Sequence, residues 1–476
     1  MENIKADIAI IGGGSAGLVA ASGAAQLGQK VVLFENREMG GDCLNYGCVP
    51  SKSLIAAARA AQNARTAGPL GLDIAPPHVD WPRVKAHVHG VIEAIAPIDS
   101  QERFEGLGVR VVRERARFAD ARTIVSESVR VRARLMVIAT GARAGAPPIP
   151  GLNEVPYLTN ETIFSIDALP THLIILGAGA IGLELGQAFA RLGSKVTLIE
   201  AGTLFAGKDD EAAKVLRAKL NAEGVTLLES ATAQRIEGAE GAIAADIEMD
   251  GAIKRIEGSH LLVAAGRKPN IEDLGLEAAG VAYGERGVTT DAHLRTSNGR
   301  VYALGDVASR EQFTHAAGLH GSLFVRNALF KLSPGRADAA PIPRVIYTEP
   351  EYAAVGLSEA EARERWGNKV RVLFVPMHDN DRAQTERDTE GFARIIVRSN
   401  GEILGAVIVG AHAGETIATV ALAIVNKLKI AAFTSSFVPA YPTRAEILKR
   451  AAGQFYTESL FSPRTKLLVR LLAQLP

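Results

Sequence analysis

At 476 residues the chain exceeds one ordinary core, and its 47% hydrophobic and 22% charged residues predict a soluble globular protein of several domains. The 53 basic and 52 acidic residues leave a net charge of +1, so we expect no nucleic-acid partner. No stretch predicts a signal peptide or a membrane span of about 18 apolar residues, which favours a cytoplasmic location.

The first predicted unit is a strand, a glycine-rich turn, a helix and a second strand. The first strand covers 6–11, the helix ends at about Leu27, and the second strand covers 31–34. An apolar strand followed by a helix and another apolar strand is typical of a parallel βαβ unit.

The turn of this unit has the spacing G-x-G-x-x-G. Gly12 allows the tight turn, Gly14 lets the backbone approach a pyrophosphate, and Gly17 lets the helix pack on the strand. The helix N-terminus then presents free N–H groups to the phosphates, with Ser15 in the turn as a further contact. Glu35, at the end of the second strand, can accept hydrogen bonds from a ribose. The unit therefore predicts a dinucleotide site.

The two cysteines of the chain, Cys43 and Cys48, lie in GGDCLNYGCVPSK at 40–52. Their separation corresponds to a helix rise of about 7.5 Å, beyond the roughly 4.4–6.8 Å between the Cα atoms of a disulfide. A bridge therefore needs a distorted turn, which Gly47 allows. Such a bridge suits a reversible redox couple better than a structural link. Two unrelated thiols or half of a zinc site are the alternatives, but a second cysteine pair is missing and we assign no metal site.

A second unit, LIILGAGAIGLELGQAFARLGSKVTLIE, repeats the first in the same register. Gly177, Gly179 and Gly182 form its turn, with Ile181 as a further contact. Glu200 lies 23 positions after the first of these glycines, and the first unit has the same separation. Two copies in matching register predict a dinucleotide site far more specifically than one glycine motif does, although two coincidental turns are the alternative.

Two such sites predict two dinucleotides, FAD and a nicotinamide. Glu200 favours NADH, because a carboxylate at this position repels the additional 2′-phosphate of NADPH. Lys208 lies nearby and could weaken that repulsion, so NADPH remains an alternative.

The cysteine segment, between two glycine motifs, resembles the pyridine nucleotide–disulfide oxidoreductases, the family of glutathione reductase, dihydrolipoamide dehydrogenase and mercuric reductase. The resemblance covers essentially the whole chain. The further motifs that carry it are IATGARAGAPPIPG (138–151), VAAGRKPN (263–270), VYALGDVA (301–308) and YTEPEYAAVGLSEAEA (347–362).

The resemblance implies an α/β fold with two Rossmann-like dinucleotide-binding domains and a C-terminal α+β dimerisation domain. The FAD domain would comprise 1–149 and 271–345, and the NAD domain 150–270. The dimerisation domain would comprise 346–476, so the working unit would be a homodimer.

The resemblance also implies residue roles. Cys48 would be the thiol next to the flavin, and Cys43 the interchange thiol that meets the substrate. Lys52 would lie by flavin N5 and pair with Glu184 near the nicotinamide, although both residues could be ordinary helix-surface charges. Asp306 would bind the ribityl and pyrophosphate region of FAD.

The remaining implied contacts with the cofactors come from the family motifs. A helix beginning at Thr314 would point at the flavin pyrimidine, and the histidine that follows could equally be an ordinary residue at a helix start. The positions assigned to cofactor binding in these motifs are Gly41, Thr140, Gly141, Gly266, Gly305 and His315.

The sequence departs from the family at 441–446, YPTRAE, where disulfide reductases have H-P-T-x-x-E. That histidine comes from the partner subunit, acts as acid and base for the thiols, and is held by the glutamate. Tyr441 replaces it here, and a tyrosine with a reference pKa of about 10 is a poor base at neutral pH. Tyr441 and Glu446 would therefore assist the thiols by hydrogen bonding or proton donation.

Mercuric reductase resembles this segment more closely, because it also has a tyrosine in the run Y-x-T-x-x-E-x-L-K-x-A-A, and 441–452 here is YPTRAEILKRAA. That enzyme also uses a C-terminal cysteine pair, for which this sequence has no residues. We therefore expect a mercuric-reductase-like enzyme whose acceptor is a disulfide or a thiophilic metal. The alternatives are a dihydrolipoamide dehydrogenase, a flavin-only quinone reductase or diaphorase, and a redox-sensing partner protein tethered through the C-terminal tail.

The tail, 461–476, has leucines at helical spacing and basic side chains, Lys466 and Arg470, on another face. This pattern predicts a helix that packs on the dimer. The alternative is a basic amphipathic segment with weak contact to a membrane or a partner protein.

Overall fold

The computed structural model describes residues 1–207, 209–308, 311–331 and 334–475. Its contacts divide the chain into two compact units, Met1–Gly202 with Glu223–Ala340, and Thr203–Ala222 with Pro341–Pro476. The strands, in chain order, are β1 Glu2–Ile11, β2 Val31–Phe34, β3 Val109–Val112, β4 Arg117–Asp120, β5 Thr123–Val125, β6 Val129–Ile138, β7 Ala142–Ala144, β8 His172–Leu176, β9 Lys195–Ile199, β10 Val225–Leu228, β11 Thr232–Ala239, β12 Ala242–Met249, β13 Ala252–Gly258, β14 His260–Val263, β15 Arg267–Pro269, β16 Tyr283–Gly284, β17 Gly287–Val288, β18 Val301–Ala303, β19 Arg344–Ile346, β20 Glu351–Gly356, β21 Val370–Pro376, β22 Phe392–Arg398 and β23 Ile403–Gly410. The α-helices are α1 Ser15–Gln26, α2 Gly41–Asn45, α3 Cys48–Arg65, α4 Trp81–Ile95, α5 Gln101–Gly106, α6 Ala180–Leu192, α7 Asp210–Ala222, α8 Thr314–Val325, α9 Glu359–Trp366, α10 Asp381–Thr385, α11 Ala413–Val425, α12 Ala431–Ser435, α13 Glu446–Leu460 and α14 Pro463–Leu472.

The first unit is built on a seven-stranded sheet with the order β3-β2-β1-β6-β5-β4, in which β18 also pairs with β6. β1 lies parallel to β2 and β6. Ile8 and Ile10 enter the core on one face of the sheet, and Ala9 and Ile11 enter the core on the other. An apolar run without alternation is what a parallel strand covered on both faces requires. The predicted strand, helix and second strand are confirmed, and the first strand begins earlier than predicted, at Glu2.

A second parallel sheet in this unit has the order β10-β9-β8-β14, and all four strands lie within 150–270. Its apolar side chains share a core with an antiparallel sheet, β11-β12-β13, through residues such as Ile174 and Ile247. α6 follows β8 as α1 follows β1, so the repeated βαβ pattern is confirmed. The boundaries of the three predicted domains stay a prediction, because the contacts divide the chain in two.

The second unit contains a five-stranded antiparallel sheet with the order β19-β20-β23-β22-β21. Buried residues of α11 and α13, including Ile417 and Leu448, share a core with Ile395 and Ile408 of this sheet. The predicted tail helix is confirmed as α14, which has no buried residue among those described. Among the helices in the described part of the chain, none combines the length and the apolar character needed to cross a membrane.

The third glycine of each turn brings helix and strand into close contact. A Cβ added to Gly17 would lie 1.9 Å from the carbonyl oxygen of Gly12, and a Cβ added to Gly182 would lie 1.9 Å from that of Gly177. A side chain cannot be accommodated at such distances without moving the backbone. The packing role predicted for the third glycine is therefore met in both turns.

We expect Gly182→Ala to lower the free energy of unfolding by about 1–3 kcal/mol, because the added methyl group forces α6 away from the turn. Gly90→Ala is the matched control: Gly90 lies within α4, and an added Cβ meets no described atom within 4 Å. Alanine there should raise stability by about 0.5–1 kcal/mol. Thermal unfolding of both variants measures the difference, and equal effects would contradict the packing argument.

Candidate active site

The two cysteines lie on either side of a break between two helices. α2 carries Cys43, and α3 begins at Cys48. Gly47, just before α3, has φ −122° and ψ −109°, and a Cβ on it would lie 3.0 Å from the carbonyl oxygen of Asp42. The backbone distortion expected between the thiols is thus present, at the glycine that allows it. Both cysteines are free thiols in this structure.

The two sulfur groups are chemically unequal. The hydrogen bond that Cys43 donates is the largest influence lowering the pKa of Cys48 to about 6, with help from the Thr314 hydroxyl and the charge of Lys52. Burial and the charge of Glu184 oppose this shift. The same hydrogen bond, followed by burial, raises the pKa of Cys43 above its usual range. These opposite pKa shifts favour a thiolate at Cys48 and a thiol at Cys43.

The N-terminus of α8 lies beside this thiolate. Thr314 is the first residue of the helix, and its Oγ1 lies 3.3 Å from the sulfur of Cys48. This contact lowers the pKa of Cys48, as a hydroxyl that donates to a thiolate does. The partial positive charge at the helix N-terminus favours an anion at the same place. The predicted start of this helix is confirmed.

Lys52 and Glu184 are brought together by α3 and α6. Nζ of Lys52 lies 2.5 Å from Oε2 of Glu184, whose side chain is only 6% exposed. A carboxylate at that depth needs a paired charge. Lys52 lies one helical turn after Cys48, so the same ammonium group also acts on the thiolate.

Glu35 and Glu200, which follow the second strands of the two βαβ units, make the same local contact. Oε2 of Glu35 accepts a hydrogen bond from the backbone N–H of Gly13 at 2.7 Å. Oε2 of Glu200 accepts one from Ala178 at 2.8 Å. Each donor directly follows the first glycine of its turn, so each carboxylate ties the end of the second strand to the turn.

The helices that follow both turns leave their first N–H groups for a ligand. α1 begins at Ser15 and has Gly14 before it, while α6 has Gly179 before it and Ile181 half-buried in its first turn. No side chain among the described residues caps either helix. Uncapped N–H groups at a helix N-terminus are a binding site for phosphate.

Two further motifs are joined by backbone contacts. Oγ1 of Thr140 donates to the carbonyl oxygen of Asn270 at 2.7 Å, and the N–H of Asn270 donates to the carbonyl of Gly141 at 3.0 Å. Gly266 has φ +141°, and its carbonyl accepts from Gly145 at 2.9 Å. The motifs at 138–151 and 263–270 therefore pair across the chain.

The motif at 301–308 places a carboxylate near α8. Gly305 has φ +72°, and its N–H donates to Nδ1 of the buried His320 at 3.1 Å. Burial raises the pKa of Asp306 above its usual range. His315 is exposed and stacks on Phe313 with ring centroids 5.3 Å apart.

Tyr441 and Glu446 lie in the second unit. Tyr441 is 71% exposed, and its hydroxyl donates to Oδ2 of Asp381 at 3.1 Å, which raises the pKa of Tyr441 further. Glu446 begins α13. The hydrogen-bond partner of the tyrosine in this structure is thus Asp381, which the sequence did not single out. The raised pKa weakens Tyr441 further as a base.

The sequence did not indicate three side chains near Cys43: Asp42, Asn160 and Arg267. Arg267 directly follows Gly266, the glycine that the family motif indicated. The contacts of Asp42 and Asn160 join segments far apart in the chain, so no local spacing predicts them. In the part of the chain that the structure describes, no group of three or more histidine, cysteine or acidic side chains gathers to hold a metal ion.

Most of this chain matches known protein families in sequence. The sequence model described as Pyridine nucleotide-disulphide oxidoreductase matches residues 6–321, and the model of the dimerisation domain of that family matches residues 342–452. The chain belongs to this family. It is therefore an NAD(P)H-dependent flavoprotein oxidoreductase that contains FAD, and the dimerisation domain supports a homodimer.

Two curated members of the family are similar over nearly the whole chain. Mercuric reductase of Staphylococcus aureus is 36% identical over 452 residues, 94% of this chain and 82% of the relative. Dihydrolipoyl dehydrogenase of Geobacillus stearothermophilus is 33% identical over 457 residues, 94% of this chain and 96% of the relative.

Among solved structures, the HOCl-induced flavoprotein disulfide reductase RclA of Escherichia coli is 27% identical, with a TM-score of 0.84 over 94% of this chain and 99% of that one. LpdA of Mycobacterium tuberculosis is 28% identical, with a TM-score of 0.84 over 95% and 99%. These likenesses confirm the predicted fold class.

The first glycine turn of this pyridine nucleotide–disulphide oxidoreductase fits a dinucleotide. A Cβ on Gly12 would lie 2.3 Å from the carbonyl oxygen of Ala139, and a Cβ on Gly41 would lie 2.7 Å from Cα of Gly14. The glycines of this turn therefore pack backbone against backbone without side chains. A surface without side chains is what the close approach of a pyrophosphate requires. Near Asp306, the buried Nε of Arg267 makes no hydrogen bond to the described residues and faces the Asp306 carboxylate at 3.6 Å.

We expect the alkylation rate of Cys48 in the reduced protein to rise with pH around a midpoint of about 6, because its folded pKa lies below the usual value of about 9. Cys43 should react only at alkaline pH, because its pKa is raised. Iodoacetamide labelling across about pH 5 to pH 9, mapped by mass spectrometry with and without FAD, measures both rates.

Cys43→Ala tests the cause of this shift. It removes the hydrogen bond that contributes most, so the midpoint for Cys48 should move toward the ordinary thiol value. An unchanged midpoint would show that Thr314 and Lys52 suffice.

Proposed function

We propose that the protein is an NADH-dependent reductase that passes electrons through Cys43 and Cys48 to a disulfide or a thiophilic metal ion, as the mercuric reductases do. The observation that carries this proposal is the placement of the two cysteines on adjoining helices, with Thr314 of α8 at 3.3 Å from the sulfur of Cys48 and Lys52 one helical turn away. FAD, held by the first glycine turn and Asp306, would supply hydride acceptance from the nicotinamide and would deliver two electrons to a Cys43–Cys48 disulfide.

The chain's own residues would then act in order. Cys43 loses its proton as it attacks one sulfur of a disulfide acceptor, and the other sulfur leaves as a thiol. The Cys48 thiolate next attacks the sulfur of Cys43, which restores the Cys43–Cys48 bond and releases the second sulfur as a thiolate that takes a proton from water. Lys52 and Thr314 would stabilise the Cys48 thiolate until it attacks in this second step. For a soft metal ion, the two sulfurs are instead a pair of preferred ligands.

Tyr441 and Glu446 of the partner subunit are proposed to assist at the acceptor. With its pKa raised by Asp381, Tyr441 stays protonated at neutral pH, and its hydroxyl would leave Asp381 to donate a hydrogen bond to the acceptor. A protonated tyrosine cannot remove a proton from a substrate, so it suits an electron acceptor whose reduction needs no base. This favours a metal ion or a reactive disulfide over dihydrolipoamide, and the solved Cu(II) complex of RclA supports metal contact in a protein of this fold.

The preference for NADH is proposed from Glu200. Its carboxylate is fixed at the end of β9 by the N–H groups of Ala178 and Gly202, at 2.8 and 3.0 Å. A carboxylate held there repels a 2′-phosphate. Lys208, the residue that could weaken this repulsion, lies outside the described residues.

We expect Cys48→Ser to abolish acceptor turnover while NADH still bleaches the flavin, because reduction of the flavin does not need the thiols. Wild-type protein titrated with NADH without oxygen should show a long-wavelength thiolate–flavin absorbance, which the variant lacks. Exposed Asp73→Asn serves as the control that leaves both readouts unchanged. Full activity of Cys48→Ser would make the cysteines spectators and favour a quinone reductase.

The tail is proposed to extend the dimer contact. The match to the dimerisation domain ends at residue 452, within α13, and α14 follows. Leu467, Leu468, Leu471, Leu472 and Leu475 are 53–66% exposed, so the tail offers an apolar surface next to a domain that pairs with a second copy. Covering it with that copy removes the apolar area from water.

We expect a chain truncated after Leu460 to dimerise about ten-fold more weakly or worse, as measured by analytical ultracentrifugation. Leu471→Ser with Leu472→Ser should weaken the dimer in the full chain, while Lys466→Gln with Arg470→Gln should not. An unaltered dimer, together with binding of the wild-type protein to vesicles of anionic phospholipid, would assign the tail to a membrane surface instead.

A further inference from the structure

Asp42, Asn160 and Arg267 come from distant parts of the chain and meet at residues 42–48, the segment that carries the two thiols. Asp42, directly before Cys43, accepts a hydrogen bond from Nδ2 of Asn160 at 2.9 Å and another from Nη2 of Arg267 at 3.1 Å. These partners stand 118 and 225 positions away in the sequence. Each carboxylate oxygen of Asp42 thus receives its own donor.

Asn160 holds the segment at a second point. Its Nδ2 also lies 3.3 Å from the carbonyl oxygen of Tyr46, which is between the two cysteines. The side chain of Asn160 is buried, with only 5% of the residue exposed. One buried amide therefore fixes the segment on both sides of Cys43.

Arg267 connects the segment to the cofactor region. Besides Asp42, its Nη2 donates to the carbonyl oxygen of Ala142 at 2.8 Å, and its Nε lies 3.6 Å from Oδ2 of Asp306. The arginine side chain is 16% exposed. It therefore lies between two carboxylates, one next to the interchange thiol and the other in the motif assigned to FAD.

We propose that Asp42, Asn160 and Arg267 form a positioning clamp that keeps Cys43 within hydrogen-bond reach of Cys48 and limits its movement toward an acceptor. The backbone between the thiols is not helical at Gly47, so it lacks the continuous hydrogen bonds that would otherwise hold it. A Cβ on Gly47 would lie 3.2 Å from Oδ2 of Asp42, so a side chain there would push against the Asp42 carboxylate.

The functional meaning of the clamp rests on the proposed thiol route, but its geometry can be tested separately. Asn160→Ala is the main variant, because it removes two hydrogen bonds and leaves every charge in place. The rate at which iodoacetamide labels Cys43 in the reduced holoenzyme, and again after removal of FAD, should rise about ten-fold. The thiolate–flavin absorbance of the NADH-reduced protein should fall with it.

Asn327→Ala is the matched control. Asn327 is equally buried, and its amide also holds a loop, through two hydrogen bonds with Gly335 at 2.8 and 2.7 Å. Its removal should lower the melting temperature while the labelling of Cys43 stays within about two-fold of wild type. The clamp is overturned if both variants lose stability and neither changes the labelling rate.

An exchange of the two side chains separates hydrogen bonding from general damage. Asn160→Asp alone places two carboxylates side by side and should loosen Cys43 more than Asn160→Ala does. The double variant D42N/N160D restores one donor and one acceptor between these two side chains but not the contacts with Tyr46 and Arg267, so it should label Cys43 more slowly than N160D and faster than wild type. A double variant no better than N160D would contradict the proposal.

These outcomes differ from a failure of the thiol route. If Cys48→Ser kept full turnover, the route would be wrong, yet the clamp variants would still change the labelling of Cys43. If turnover needed Cys48 and the clamp variants labelled as wild type does, the clamp alone would be wrong.

Discussion

The hydrogen bond from the Cys43 thiol to the Cys48 thiolate is the interaction on which the chemistry of the first unit depends. A negative charge on sulfur is stable there because several elements contribute to it. α8 presents its N-terminus and the hydroxyl of Thr314, and α3 presents Lys52 one turn away. Removal of any one weakens the thiolate, whereas removal of Cys43 takes away the largest contribution.

The duplicated βαβ unit holds the charged side chains of the first unit in fixed positions. Each glycine turn brings a helix close enough to a strand that a side chain at the third glycine is sterically excluded. Each turn is then tied to its second strand by a carboxylate, Glu35 or Glu200. After these turns, α1 and α6 begin with uncapped N-termini, a feature that suits the phosphates of a dinucleotide. α6 also carries Glu184 to its partner Lys52.

Tyr441 of the second unit bears on the proposed choice of acceptor. Where disulfide reductases of this family have a histidine, this chain has Tyr441, and the hydrogen bond to Asp381 raises its pKa. Under the proposed thiol route, this tyrosine would favour an acceptor that needs no base. Similarity to both mercuric reductase and dihydrolipoyl dehydrogenase leaves that choice to the residues around the thiols rather than to the fold.

The sequence by itself determined the family, the two dinucleotide units and the cysteine pair, because glycine spacing, apolar runs and the CLNYGC segment are local patterns. It also predicted that the backbone must distort between the thiols, since a regular helix separates them too far. It did not predict Asp42, Asn160 and Arg267 as a group, nor the bond from Tyr441 to Asp381. Those contacts join residues that are up to 225 positions apart. Only the tertiary structure decides which distant polar groups meet. Each polar group that folding buries needs a hydrogen-bond partner, and local sequence patterns do not identify that partner.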